Sequence, residues 1–139
     1  MVPVHTGGCL CGAVRFSATG SLRGVIYCHC SQCRRQSGHF YAATCVPDAA
    51  LAVEGSDSVT WYRASAGAER GFCRTCGSAL FWKRDESSET SLLAGAFDTA
   101  DGLTGKAHIF VADKGGYYAI DDGLPQHEES LPSGGVAKA

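Results

Sequence analysis

Seven of the eight cysteines in this 139-residue sequence fall into three tight clusters, and their spacing constrains the chain more than any other feature. The clusters read Cys9-Leu10-Cys11, Cys28-His29-Cys30-Ser31-Gln32-Cys33 and Cys73-Arg74-Thr75-Cys76-Gly77, and only Cys45 stands apart. A CxxC pair brings two sulfurs onto one ion through a tight turn whose backbone N–H groups stabilise thiolates. Gly77 suits that turn because glycine permits the positive φ that closes it. CxC works differently. In extended chain, residues i and i+2 share a side, so Cys9 and Cys11 face one way with Leu10 opposite, and Cys28 and Cys30 face one way with His29 opposite. His29 is therefore not expected to ligate the same metal. Zinc prefers four ligands, so seven cysteines divide into four and three. One partition closes a site with Cys9, Cys11, Cys73 and Cys76 and leaves Cys28, Cys30 and Cys33 open. The other is a zinc ribbon of Cys30, Cys33, Cys73 and Cys76, leaving Cys9, Cys11 and Cys28. The compactness of the Cys28–Cys33 stretch favours the first. A closed site of four cysteines is structural and contributes folding energy, whereas a site of three keeps a position for water or a substrate thiol, as catalytic zinc does.

The remainder of the sequence is consistent with a metal-binding chain. Its length fits one domain, residues 1–129, followed by a small, polar, Gly-rich tail over 130–139. Such a length buries a core without cysteine staples. Apolar residues at 45% and charged residues at 19% argue against disorder, and no apolar run is long enough to span a bilayer. Residues Met1 to Gly8 show neither the basic nor the apolar region of a signal peptide. The expected setting is cytoplasmic and reducing, where spaced cysteines are metal ligands or catalytic groups rather than disulfides. A thioredoxin-like redox pair is disfavoured because neither CxxC follows a strand that feeds a long helix. Cys45, in an apolar strand, reads as a buried small hydrophobe.

The pattern is mostly β. Strands are expected over 10–17, 24–29, 39–46, 59–63, 78–83, 91–94 and 107–112, all short and separated by Gly, Ser, Asp or Pro, as in an antiparallel β domain. Only Ser31 to Ser37 reads as a helical turn, with Ser31 as N-cap and Gly38 as the stop. Exposed β edges leave room for a homodimer. Charge is uneven: residues 1–84 carry nine Lys and Arg against four Asp and Glu, and residues 85–139 carry three Lys against ten acids. Metal-bound thiolates offset much of the basic excess. With no stripe of basic and aromatic residues, a nucleic-acid surface is the lesser reading.

Three stretches, Gly8-Cys9-Leu-Cys11-Gly12-Ala-Val-Arg-Phe16, Cys28-His-Cys-Ser-Gln-Cys33-Arg34-Arg-Gln-Ser-Gly38 and Phe72-Cys-Arg-Thr-Cys76-Gly77, resemble the glutathione-dependent formaldehyde-activating enzyme (GFA) family, whose domain centromere protein V shares. His108-Ile-Phe-Val and Asp122-Gly-Leu-Pro125 are similar to the family's C-terminal segment, so the resemblance spans roughly residues 5–129. It implies a mainly β, Mss4-like antiparallel fold with short helical turns, stabilised by zinc. It also implies a structural zinc on Cys9, Cys11, Cys73 and Cys76 and a second, catalytic zinc on Cys28, Cys30 and Cys33. The activity it implies is a carbon–sulfur lyase reaction, the condensation of glutathione with formaldehyde to S-hydroxymethylglutathione. The partners are then a small thiol and an aldehyde. Arg34 and Arg35, directly after Cys33, are candidates for the substrate's carboxylates, and Gln36, Ser37 and His39 for further contacts. His39 stands where the family usually has a small residue, and Tyr117 and Tyr118 stand where a tryptophan is common. Two alternative functions are a non-catalytic binding module with two structural zincs, and thiol-based zinc storage in which oxidant empties the Cys28 cluster first.

Overall fold

Alternating buried and exposed side chains draw most of the chain into strands. In β2 (Arg15–Thr19), following β1 (Val4–Gly8), Phe16 and Ala18 turn inward while Arg15 and Ser17 stay half-exposed. The computed structural model describes residues 1–132, so the expected tail falls largely outside the described residues. After β2 come β3 (Val25–Cys28), the helix α1 (Ser31–Ser37), β4 (Tyr41–Pro47) and β5 (Leu51–Glu54). Then follow β6 (Val59–Ser65), β7 (Ala68–Cys73), β8 (Ala79–Arg84), β9 (Glu89–Leu93) and β10 (Gly105–Ile109). The mainly β expectation holds. No described helix is long and apolar enough to cross a membrane.

The strands form a three-stranded sheet, β1-β2-β5, and a seven-stranded sheet, β10-β3-β4-β9-β8-β7-β6. All pairings between these strands are antiparallel except one. β10 lies parallel to β3, with His108 opposite Tyr27 and Ile109 opposite Cys28. This corrects a purely antiparallel expectation. A parallel pair needs a long crossover, and here the chain between β3 and β10 supplies it with six intervening strands rather than a helix. The outer edge of β10 is closed by the C-terminal segment: His108 N–H donates to the Pro125 carbonyl (2.9 Å) and His127 N–H to the His108 carbonyl (2.9 Å). β6 is the other edge and exposes Trp61 and Tyr62.

Three strands escape the sequence pattern. β1 contains two glycines, β5 is four residues long, and β7 carries Glu69, Arg70 and Gly71 in its middle. Pairing with neighbours, not side-chain preference, makes them strands. The strand expected over 10–17 is displaced: residues 10–14 form a turn and only its end joins β2. The cap of α1 also differs. Cys30, not Ser31, is the N-cap, its sulfur accepting from Cys33 N–H, while Gly38 ends the helix in the left-handed region (φ 83°) as expected.

Two separate cores result. One gathers Val14, Phe16, Val46, Leu80, Phe81, Leu92 and Phe97 between the sheets and includes Cys9 and Cys73. The other gathers Ile26, Tyr41, Ala43, Ile109 and Phe110 and includes Cys28, Cys30 and Cys33, with Leu131 packed against it. Each cysteine cluster is thus rooted in its own apolar mass.

Candidate metal centres and the site around them

The first cluster is assembled by turns on two strand pairs. The chain leaves β1 at Cys9 and folds back, with Gly12 N–H donating to the Cys9 carbonyl (3.3 Å) and Cys9 N–H to the Val14 carbonyl (3.0 Å). Cys9 and Cys11 therefore converge through a tight turn, not along extended chain as the CxC argument supposes; their sulfurs lie 3.6 Å apart. Cys73 ends β7, and the turn to Cys76 closes through Gly77 at φ 80°, as the motif predicts. All four sulfurs lie within 4.8 Å of one another. Backbone groups support them: Val14 N–H points at Cys9 Sγ (3.3 Å), and the Thr75 and Cys76 N–H groups at Cys73 Sγ (3.4 and 3.5 Å). Ser78 Oγ bridges the two halves, accepting from Leu10 N–H (3.0 Å) and lying 3.2 Å from Cys76 Sγ. The Ser78 hydroxyl and backbone hold the Cys76 thiol low, at about 5. Burial opposes charge on Cys9, but hydrogen bonds from Val14 N–H, Cys11 and Cys73 outweigh it and hold Cys9 below its ordinary value.

The second cluster is local. Cys28 ends β3, Cys30 caps α1, and Cys33 lies on the first turn of α1; their sulfurs also lie within 4.8 Å of one another, and all three residues are buried. Hydrogen bonds from Cys28 and Cys33 push the Cys30 thiol far down, to about 2, while the same kind of contact, from Cys30 and Cys33, pushes Cys28 up. Buried soft donors that concentrate negative charge in this way suit a soft or borderline cation. The structure adds a cation of its own. Arg70, buried on β7, donates from Nη2 to Cys33 Sγ (3.4 Å) and from Nη1 to Gln36 Oε1 (3.0 Å), and its guanidinium sits 5.0 Å from the Tyr41 ring centroid. Burial works against this charge, and the Cys33 sulfur more than offsets it, so the Arg70 pKa is raised. The sequence reading missed Arg70, which sits at ordinary spacing in a stretch with no visible pattern.

The remaining candidates surround this cluster. Arg34 is half-buried and Arg35 exposed. Gln36 serves Arg70. The Ser37 hydroxyl donates to the Cys33 carbonyl (2.7 Å) and accepts from His39 N–H (3.2 Å). His39 is exposed, with Nδ1 3.3 Å from the Tyr117 hydroxyl and its ring against Phe40 and Tyr118. Cys45 is half-buried, not sunk in the core. It lines a cavity of about 90 Å³ beside Cys28 and Cys33, with Tyr41, Trp82, Arg23 and Arg84 on the walls.

His29 turns away from the sulfurs, as expected, and into a buried polar chain. Its Nδ1 meets the Tyr118 hydroxyl, its Nε2 lies 2.8 Å from His108 Nδ1, and His108 Nε2 lies 2.7 Å from Asp122 Oδ2. Burial, reinforced by His108, lowers the His29 pKa to about 4. The Leu124 N–H and then His108 hold Asp122 below the usual carboxylate range. Sequence reasoning weighed His29 only to set it aside as a ligand, and noted Tyr118 only as standing where a tryptophan is common. The one available signal for the other two was that His108 and Asp122 both lie in the segment that resembles the family's C-terminal region.

A mainly β protein with one four-sulfur and one three-sulfur cluster belongs to the class of thiolate proteins that could hold metal ions at both. More particularly, the chain belongs to the glutathione-dependent formaldehyde-activating enzyme family, whose pattern matches residues 4–113. It is 30% identical over 115 residues to an uncharacterized lyase of Schizosaccharomyces pombe, covering 81% of this chain and 82% of that one. It also superimposes on the crystal structure of a Rhodobacter sphaeroides protein with a TM-score of 0.54 and 25% identity, covering 88% of this chain and 98% of that one.

Proposed function

We propose that this chain is a zinc-dependent enzyme of the carbon–sulfur lyase type that acts on the adduct of a thiol and an aldehyde. The reaction to test first is formation of S-hydroxymethylglutathione from glutathione and formaldehyde. The observation that carries this reading is the composition of the second cluster: three buried sulfurs, a nearby histidine whose two nitrogens are both engaged elsewhere, and a buried guanidinium on Cys33. Cys28, Cys30 and Cys33 would hold the zinc, which would supply the Lewis-acid charge that favours the ionised form of a thiol at neutral pH.

The other parts of the site come from the chain. Three thiolates around a divalent ion leave a net negative charge that would repel a fourth, and Arg70 cancels it at 3.4 Å from Cys33 Sγ. Gln36 fixes Arg70, and Ser37 ties the end of α1 to Cys33. Arg34 and Arg35 hold substrate carboxylates, and His39 with Tyr117 forms an exposed wall beside them. The cavity next to Cys28 and Cys33 has the volume of a few heavy atoms, which suits a small aldehyde. In this reading Cys9, Cys11, Cys73 and Cys76 hold a structural zinc.

The test is the rate of adduct formation, followed by NMR exchange between free and adduct formaldehyde, in wild type and Cys30→Ala. The expected result is a folded variant whose rate equals the uncatalysed one. A folded Cys30→Ala variant with the wild-type rate overturns the proposal.

A further inference from the structure

The cavity of about 90 Å³ beside Cys28 and Cys33 is laid out by the strand register of one sheet face. Ile26 and Cys28, two apart on β3, face the same side and pair with Ala43 and Tyr41 of β4, and all four line the cavity. Cys28 and Cys33 mark one end, their sulfurs within 4.8 Å of each other. Arg23 marks the other. Its Nη2 donates to the Ala43 carbonyl (3.0 Å) and its Nε to the Gly24 carbonyl (3.2 Å), while the buried Thr44 hydroxyl donates to the Arg23 carbonyl (2.6 Å). The residue is therefore pinned, yet its guanidinium serves only main-chain carbonyls. Among the described residues no carboxylate is hydrogen-bonded to it, and Nη1 keeps both its protons for another acceptor. Burial lowers the Arg23 pKa more than Cys45 and Glu89 restore it, so the half-buried charge is short of a partner. Arg84, its guanidinium 6.0 Å from the Trp82 ring centroid, adds a second positive charge to the wall. Glu89, exposed to water, is the one carboxylate among the described lining residues.

The cavity thus joins two sulfurs to a guanidinium across the apolar surface of Ile26 and Ala43. Formaldehyde is too short to reach Arg23 from the sulfurs and has no charge to offer it. We infer that the carbonyl substrate of this cavity is a short ω-oxo acid, an aldehyde with a carboxylate at its far end, and that Arg23 selects it. The inference rests on the lyase reading. The carboxylate pairs with Arg23, and the carbonyl carbon lies toward Cys28 and Cys33. The register sets the length. Ala43, whose carbonyl holds Arg23, pairs with Ile26, two residues from Cys28, or about 7 Å at roughly 3.3 Å per residue. A four-carbon oxo acid measures about 4 Å from carbonyl carbon to carboxylate carbon, and a hydrogen bond adds about 3 Å. Arg34 and Arg35 do not line the cavity, so the thiol substrate's carboxylates stay outside it. The added carboxylate leaves the bond changes as they are. The thiol S–H bond breaks, a sulfur electron pair forms the S–C bond, and the carbonyl π pair moves onto oxygen, where the proton from sulfur arrives through water.

The test uses zinc-loaded full-length chain with glutathione and compares succinic semialdehyde with butanal, its uncharged counterpart. In wild type, kcat/KM is expected to be about 10- to 100-fold higher for succinic semialdehyde, the worth of one charge-assisted hydrogen bond. In Arg23→Gln that ratio should fall to about one, chiefly through the KM for succinic semialdehyde, with Arg23→Lys restoring part of it. A second measurement needs no turnover. Succinate, which cannot react, should slow iodoacetamide labelling of Cys45, a cavity residue outside the cysteine clusters, in wild type and not in Arg23→Gln. Equal kcat/KM for the two aldehydes in wild type overturns the selection, and if formaldehyde is still turned over, the lyase reading survives. An Arg23→Gln chain that is slower with both aldehydes at an unchanged ratio also overturns it, because Arg23 then only supports β4. Labelling of wild-type Cys45 that succinate leaves unchanged overturns it even where Arg23→Gln fails to fold. A wild-type chain that turns over neither these aldehydes nor formaldehyde removes the lyase reading and the selection together.

Discussion

The two cysteine clusters use one ligand type in opposite ways. The first draws its sulfurs from two stretches of chain more than sixty residues apart and joins the turn after β1 to the β7–β8 turn. Its charge is met by backbone N–H groups and Ser78, and it is open on one side, with Cys11 exposed and Cys76 half-buried. An arginine in its field, Arg15, gives its hydrogen bonds to Asp98 (2.9 and 2.5 Å) instead. The second draws its sulfurs from six consecutive residues, is wholly buried, and has a guanidinium on one sulfur and a histidine chain at its back. Four donors stabilised by the main chain make a joint between sheets. Three donors with a side-chain cation to balance them are, under the proposed function, a place for a fourth ligand.

The sharpest contrast is expected between Cys73→Ser and Cys30→Ala. Cys73→Ser opens the joint and should cost most of the roughly 5–15 kcal/mol that holds a domain together. It should appear in circular dichroism as loss of the cooperative melt. Cys30→Ala should melt within several degrees of wild type, since it loses mainly a helix cap, while bound zinc falls from about two per chain to about one. A Cys73→Ser chain that melts like wild type would erase the distinction.

Next in size is Arg70→Met. It leaves the second cluster with uncompensated charge, so chelator competition should show zinc held there about 10- to 100-fold more weakly, with the first cluster unmoved. Equal weakening of both would mean that Arg70 supports the fold rather than the site. Oxidation should separate the clusters less strongly. Peroxide is expected to empty the first before the second, because only the first exposes a sulfur at its surface, the reverse of what the storage reading predicts. Peptide mapping of the first oxidised cysteine decides the order. The smallest effect belongs to Ser78→Ala, which removes the bridge across the first cluster. It should lower the melting temperature by a few degrees, because it removes the Ser78 hydroxyl's contacts to Leu10 N–H and Cys76 Sγ.

The three cysteine clusters were legible because metal geometry acts over two or three residues, a range that spacing records; that Cys9 and Cys11 join Cys73 and Cys76 was left open by spacing, favoured by the compactness of Cys28–Cys33 and implied by the family resemblance. The β class was legible for a similar reason, since short apolar or partly alternating stretches, Val14 with Phe16 and the run over 24–29, mark strands, although the structure leaves Val14 in the turn before β2. What could not be read depends on contacts between distant residues. β7 is a strand because β6 and β8 flank it, not because Ala-Glu-Arg-Gly favours one, and so Arg70 was invisible as a neighbour of Cys33. His108 and Asp122 reach His29 only because β10 pairs in parallel with β3, a pairing that no local pattern announces. The CxC turn was read as extended chain because a two-residue spacing fits either geometry.

The separation in sequence between the halves of the first cluster also sets a schedule. Closing a loop carries an entropic cost that grows with the logarithm of its length. Cys28, Cys30 and Cys33 close almost none, and all three precede β4 in the chain. The first cluster cannot form until Cys76 emerges. If the three-sulfur site binds metal as proposed, a chain growing from its N-terminus completes that site while the sheets are still incomplete, and the clasp that joins those sheets shuts late. Mixing unfolded full-length chain with cobalt should reproduce this order as two absorbance phases, the fast one absent in Cys30→Ala.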